Sequence, residues 1–219
     1  MAGIAAALTL AAIAVSTVAL LLLRFINPPI TMVQMQRRVE ALFSHDRSYH
    51  VRHQAVPISR ISPDLQHAVI AAEDGRFYEH RGIDWKQVRI VVDEAREAGE
   101  LETLRGASTI TQQLIKNLFF TTHRNPLRKV AEWTLAPIAD TVLGKQRTLE
   151  LYLNNVEWGD GIFGAEAAAE GWYGVPASRL SREQSARLAA MLPAPRRRKP
   201  ARMTMYSSQI LARMRQMNW

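Results

Sequence analysis

From Ala2 to Leu23 the chain carries no charged residue. As a helix that stretch is roughly 33 Å long, against a bilayer hydrocarbon core of about 30 Å, and no polar face exists to meet water. The sequence predicts a transmembrane anchor over residues 1–26, so whatever follows folds beside a membrane. A cleaved signal peptide would bring a basic n-region and a shorter apolar core, and neither is present. Arg24, Arg37 and Arg38 follow the span and no Lys or Arg precedes it. By the positive-inside rule alone, that pattern keeps the following domain in the cytoplasm.

The 219 residues, 47% of them hydrophobic, suffice for one domain of ordinary size plus this appendage. Cysteine is absent, which removes disulfides, thiolate zinc sites and cysteine nucleophiles. An excess of 28 Lys+Arg over 20 Asp+Glu gives a formal charge of +8. That field suits nucleic acid, anionic lipid head groups and pyrophosphate-bearing substrates alike. Residues 27–62 hold several prolines and histidines and read as a linker with a first helix over Met32–Phe43. Residues 63–219 read as one mainly α-helical domain, because apolar residues recur at three and four positions and no Val/Ile/Thr run alternates with period two.

Three helical stretches carry polar residues worth weighing. In "AAEDGRFYEH" the apolar run Val69–Ala72 is followed by Glu73 and Asp74, then Phe77 and His80; a carboxylate held there sits at the edge of a core, where an acid or base is expected. In "GASTITQQLIKNLFF", Thr109 and Gln112 have capping-box spacing. Ile110, Leu114 and Leu118 then make an apolar face, and Gln113, Lys116 and Asn117 gather on the other side. "NPLRKVAEWTLAPIADTVLG" opens with Asn-Pro, ends at Gly144 and has Pro137 as its expected kink. Arg128 and Glu132, four apart, share one face of it.

Other patterns are set aside on context. "GDGIFG" matches G-x-G-x-x-G but follows "LELYLNNVEW", which reads as helix, whereas a dinucleotide fingerprint needs a strand before it. Its glycines read as a tight connection. No H-E-x-x-H occurs and the close pair His50 and His53 lies in the linker, so no metal site is assigned. Neither Ser-x-x-Lys nor Lys-Thr-Gly is present, which removes penicillin-binding acyl transfer. The basic run "RRRKPAR" reads either as a solvated tail or as a patch for anionic lipid, and a DNA-recognition helix is not assigned. What remains is a set of carboxylates, cations and amides on helices, a combination suited to sugar chemistry with an anionic leaving group.

"EDGRFYEHRGID", "GASTITQQLIKN", "RKVAE" and "KQRTLELYLN", in that order, resemble the signature motifs of family 51 glycosyltransferases, the peptidoglycan polymerases. "FGAEAAAEGWYG" and "LSREQSARLAAMLPAP" resemble the family's fifth motif and closing helix, and the likeness spans roughly residues 60–195. With no transpeptidase domain following, the chain resembles the monofunctional members. The resemblance implies a lysozyme-like helical fold preceded by one transmembrane helix, anchored in the cytoplasmic (inner) membrane with the domain on the periplasmic side. That overrules the orientation read from flanking charge.

The resemblance further implies lipid II and the growing glycan strand as partners, with membrane lipids and other cell-wall synthesis or division proteins beside them, and no nucleic acid. Glu73 matches the general base and Glu132 the second carboxylate. Ser108, Thr109, Gln112, Gln113, Lys116 and Asn117 match the positions expected to bind sugar and phosphate. Arg128, Lys129, Lys145 and Arg147 match those expected around the pyrophosphate. Asp74, Phe77 and His80 are expected to shape the first motif rather than react. No cofactor is required by these residues, and a divalent cation, Mg or Mn, at the pyrophosphate is left open. Thr148, where isoleucine is common, and Val175, where lysine is frequent, depart from the pattern without touching these positions. A hydrolase or lytic enzyme acting on the same polymer, and a non-catalytic membrane scaffold, are the rival readings.

Overall fold

The computed structural model describes residues 2–45, 48–99, 106–123 and 125–219. Helices dominate, as the periodicity predicts. α1 (Ala2–Leu23) is the apolar N-terminal helix, and α2 (Met32–Phe43) follows with Thr31 and Gln34 forming a capping box. The body is α3 (Pro63–Glu73), α4 (Trp85–Glu97), α5 (Ile110–Phe119), α6 (Pro126–Asn155), α7 (Ala165–Tyr173), α8 (Arg182–Ala189) and α9 (Thr204–Gln216).

α3 is the central element. Leu65, Ala68, Val69, Ile70 and Ala71 are all buried, leaving little of the helix to solvent. It packs on α8 and α9, while α5 packs on α6 and α2. Phe77, Leu114, Ile115, Leu149, Tyr152 and Trp158 fill the space between them. A helix buried on most sides has a fixed axis, so the residue at its last turn, Glu73, is placed by the whole core.

Sequence periodicity misses a small sheet of order β1-β3-β2, made of β1 (Arg52–His53), β2 (Glu157–Gly159) and β3 (Ile162–Phe163). Strands of two and three residues are too short to show a period. β1 runs parallel and β2 antiparallel to β3. "GDGIFG" is therefore a β2–β3 hairpin running into α7, and the reading of its glycines as a tight connection holds.

The chain turns inside α6 at Gly144, and Pro137 is not the break. Gly144 has φ 73° and ψ 167°, the one non-helical conformation within those bounds, in a region essentially closed to residues with a Cβ. Pro137 only withholds one N–H from the ladder. The segment after Gly144 carries the buried Leu149, Leu151, Tyr152 and Leu153, so the turn redirects a solvent-flanked helix into the core.

α1 is long and apolar enough to cross a membrane. Its window Ala6–Leu23 has a mean hydropathy of 2.5, and Leu8, Leu10 and Val15 are exposed. Leu20 and Leu23 at its far end are buried in the body. There Arg147 donates through Nε to the Leu23 carbonyl at 2.9 Å and through its terminal nitrogen to that of Ile26 at 2.7 Å. Arg24 reciprocates to the Val142 carbonyl at 3.1 Å. A single-pass anchor fits this helix.

Gly82, with φ 82°, lies against α6: a Cβ there would stand 2.4 Å from the Ala136 carbonyl oxygen. Backbone on both sides cannot yield as a flexible side chain would. Gly82→Ala is expected to lower stability by at least about 2 kcal/mol, a fall in Tm of roughly 4–8 °C. Thermal unfolding of the detergent-solubilised protein followed by circular dichroism checks this.

Candidate functional site

Glu73 and Asp74 end α3, where the helix dipole disfavours negative charge, so their ionised forms need partners from elsewhere. Asp74 finds them in two directions. Its Oδ2 accepts the backbone N–H of Ile110 at 3.0 Å, in the first turn of α5, and His80 Nε2 lies 2.9 Å from Oδ1. Thr109, the α5 cap, donates its hydroxyl to the Gly82 carbonyl at 2.6 Å. These contacts tie α3, the 74–84 loop and α5 into one unit.

Glu73 is half-buried and meets α5 through Gln113, whose Nε2 donates to Oε2 at 2.7 Å. The Gln113 carbonyl oxygen in turn accepts the Tyr152 hydroxyl at 2.9 Å. Tyr152 is fully buried, and burial raises its phenol well above the ordinary value, so it stays a donor. With its oxygen held by Tyr152, the Gln113 amide presents its NH2 to Glu73. Burial pushes the Glu73 carboxyl above the usual range, while the Gln113 hydrogen bond and the charges of Lys116 and Arg198 oppose that rise and Asp74 adds to it.

Lys116, one turn beyond Gln113 on α5, links Glu73 to a second charged group. Burial lowers its ammonium pKa, and Glu132 and Glu73 both favour its charged form while Arg128 and Lys129 oppose it. Glu132 is 3% exposed. Arg128 Nε stands 3.2 Å from its Oε1, and Lys129 Nζ lies 3.3 Å from its Oε2 and 3.0 Å from the Ser108 hydroxyl. The Arg128–Oε1 pair lacks hydrogen-bond alignment, and both atoms are buried.

Clefts flank these groups. One of about 500 Å³ is lined by Glu73, Asp74, Arg76, Ser108 and Arg213. Glu73 also lines a smaller one of about 230 Å³ with Arg198, Tyr206 and Arg213. A third, about 370 Å³, is lined by Gln113, Lys116, Asn117, Arg37 and Arg197 and shares Pro193 with the second. Glu73 thus lines two cavities bordered by cations.

Of the sequence-predicted residues, Glu73, Ser108, Thr109, Gln113, Lys116 and Asn117 line the clefts. Glu73, Gln113, Lys116, Asn117, Ser108, Arg128, Lys129 and Glu132 form the polar group just described. Thr109 and Gln112 are 2% and 1% exposed, and Thr109 Oγ1 and Gln112 Oε1 close the α5 capping box, while Thr109 also borders the cleft lined by Glu73 and Asp74. Lys145 pairs with Asp140 at 2.6 Å and sits 4.7 Å from the Phe77 ring centroid. Arg147 serves the α1 carbonyls and pairs with Glu150. Neither makes a described contact with the Glu132 group.

Three contributors escaped the sequence reading: Tyr152, Arg198 and Arg213. The basic run holding Arg198 is neither a tail nor free. Arg198 lies 4.9 Å from the Tyr206 ring centroid and donates to the Ala190 carbonyl, while Arg196 pairs with Asp160 at 2.8 Å. Arg213 reaches the clefts from α9, far along the chain, with no local signal. Among the described residues no three His, Asp or Glu side chains gather as metal ligands. Glu132, the carboxylate best placed for a divalent cation, already faces Arg128 and Lys129 and does not fit that use.

Raised titration of Glu73 carries a stability consequence. Between the unfolded and folded pKa the native state holds more protons, so stability falls as pH rises through that window. Removing the charge should relieve the loss: Glu73→Gln is expected to raise Tm at neutral pH, with the gain shrinking below the usual carboxylate pKa. Melting curves of both proteins across that pH range decide it.

A family model described as Transglycosylase matches residues 39–218. The chain is 46% identical over 187 residues to the biosynthetic peptidoglycan transglycosylase of Bordetella avium, covering 83% of this chain and 78% of that protein. It is 43% identical over 170 residues to the protein of that name from Laribacter hongkongensis, covering 78% and 74%. Against that of Bordetella pertussis it is 48% identical over 164 residues, covering 74% and 68%.

Proposed function

This chain belongs to the transglycosylase family, the peptidoglycan glycosyltransferases of cell-wall biosynthesis, and we propose that it polymerises lipid II into β-1,4-linked glycan with release of undecaprenyl pyrophosphate. The observation that carries this reading is Glu73, fixed at the end of a buried helix between two cation-bordered clefts. With neither Ser-x-x-Lys nor Lys-Thr-Gly in the sequence, transpeptidation is not assigned to it. α1 anchors the chain in the cytoplasmic membrane with the domain on the periplasmic face, where the polymer is built.

Glu73 acts as general base. The acceptor's 4-hydroxyl is a poor nucleophile at neutral pH, so a carboxylate must take its proton as the oxygen attacks the donor's anomeric carbon. Gln113 occupies Oε2 and leaves Oε1 for that proton. The new C1–O4 bond forms as the C1–O bond to pyrophosphate breaks on the opposite face, inverting an α-linked donor to a β-linked product. The departing pyrophosphate carries its own charge and needs no proton if donors already surround it. Lys116, Arg128 and Lys129 supply that field, with Ser108 orienting Lys129 and Glu132 holding both Arg128 and Lys129 in place. Arg147 we assign to the anchor junction, and Lys145 to bracing Phe77, rather than to the pyrophosphate.

Burial of Glu73 also suits the protonated acid of a glycosidase, which favours a second reading as a hydrolase of finished glycan. A glycosidase needs a second carboxylate to activate water or to attack. Glu132, tied up by two cations, is poorly disposed for either, and a neutral sugar leaving group has no use for that cationic field.

Purified protein with labelled lipid II, and with finished peptidoglycan as a second substrate, tests the choice. Glu73→Gln is expected to lose about 10²–10⁴ in polymerisation rate, and Arg128→Ala about 10²–10³. Arg147→Ala should lose stability more than turnover. Cleavage of finished glycan without polymerisation would establish the hydrolase instead. Tyr152→Phe frees the Gln113 amide to rotate away, removing a contact that favours ionised Glu73. The acid limb of its pH–rate profile should therefore move to higher pH, a displacement that loss of packing alone would not produce.

A further inference from the structure

α2 turns its apolar side outward. Met32, Met35, Val39, Leu42 and Phe43 are 40%, 46%, 43%, 76% and 82% exposed, and at helical spacing they form one stripe roughly 100° wide. The side facing the protein is largely polar, with Val33 as its buried apolar contact. Gln34 is buried in the capping box, Gln36 bonds to Thr122 at 2.9 Å, and Arg37 pairs with Glu157 at 3.0 Å and with Glu40 at 2.9 Å. A surface helix in water has the reverse arrangement. Those bonds fix the roll of α2, so the stripe cannot rotate inward.

The surroundings of α2 indicate what meets the stripe. Only residues 24–31 separate it from the end of α1, a reach of at most about 30 Å. Phe25 and Ile26 in that connection are 80% and 56% exposed. Arg147 clamps the same connection to the body through the Leu23 and Ile26 carbonyls. Arg38 is exposed at the stripe's edge, where a cation among anionic head groups is favoured.

We propose that α2 lies in the bilayer interface, its stripe in the acyl boundary and Arg38 among anionic head groups, as a second membrane contact beside α1. The inference rests on α1 being a membrane span. Continuity with that span, through exposed apolar residues on a short clamped connection, favours lipid over a protein partner. It also gives the cleft a place. Val33 and Arg37 of α2 line the cavity that holds Gln113 and Lys116, so a helix at the membrane surface sets one wall of the substrate space at the depth of a lipid-linked pyrophosphate.

The chain has no cysteine, so single-site labelling is free of background. Leu42→Cys, Val15→Cys on α1 and the exposed Ser208→Cys on α9 would each carry a nitrobenzoxadiazole label. The full chain is then reconstituted in vesicles of phosphatidylethanolamine and phosphatidylglycerol, with and without brominated acyl chains. Phe43→Cys gives a second reading of the stripe should Leu42→Cys fold poorly. The expected result is blue-shifted emission at the stripe and at Val15, with loss of intensity in brominated vesicles, and neither change at Ser208. Quenching at Val15 with a stripe label that behaves like Ser208 overturns the inference and leaves the anchor standing. A blue shift at the stripe without quenching, accompanied by cross-linking of copies through Leu42→Cys, overturns it in favour of a protein occupant. Quenching at neither position removes the anchor reading along with it.

Discussion

Asp74 accepts the Ile110 N–H at the start of α5 and a hydrogen bond from His80, while the adjacent Glu73 receives the Gln113 amide from one turn further along α5. The positive end of one helix therefore meets the negative end of another through two neighbouring carboxylates. Hydrogen bonds to charged groups are worth about 1.5–3 kcal/mol each, enough to hold the ends of α3 and α5 in one geometry against thermal rearrangement. The clefts, the reach of Lys116 and the distance from Glu73 to the Glu132 group all follow from that junction. Asp74 is engaged by His80 and by the first turn of α5, and so holds in place the helix that carries Gln113 to Glu73.

The electrostatics divide into a proton-handling part and a charge-accommodating part, and Lys116 connects them. Burial raises Glu73, which makes it a stronger base once ionised, and Gln113, Lys116 and Arg198 keep the ionised form accessible. Around Glu132 the cations outnumber the carboxylate. Two positive groups share one negative partner, and a third acts on it from α5. Such a site holds surplus positive charge in its resting state, which under the proposed function an arriving pyrophosphate would complete. A surface built only for stability would balance those charges.

How much of this the sequence disclosed depends on how local each feature is. The α5 capping box and the span of α2 are set by residues within four positions of one another, and both were legible. Glu73 was legible for the same reason: an apolar run followed by a carboxylate marks the edge of a core. The contacts of Arg147 were not legible, because the carbonyls of Leu23 and Ile26 lie more than a hundred positions away and backbone acceptors leave no trace in a side-chain pattern. Tyr152 was invisible on similar grounds, since its hydroxyl acts across the helix packing on Gln113. The kink fell to Gly144 rather than Pro137 because proline removes one hydrogen bond, whereas a positive φ reverses the chain's course. At Thr109 and Gln112 a family position and a capping signal coincide, and the cap occupies Thr109 Oγ1 and Gln112 Oε1.

The net charge of +8 acquires meaning only once its distribution is known. Arg196 is paired with Asp160, Arg37 with Glu157 and Arg187 with Glu183, so part of the positive count is neutralised in the frame of the fold. Lys116, Arg197, Arg198 and Arg213 line the clefts, where low-dielectric walls concentrate their field, and Arg128 and Lys129 act on Lys116 from α6. A membrane alongside would strengthen that concentration, because it screens one side from water and confines an anionic, lipid-linked substrate to a plane. Under the proposed function, the same basic composition that first suggested nucleic acid or lipid serves a polar head that must be drawn out of the bilayer surface and held while its bond to sugar breaks.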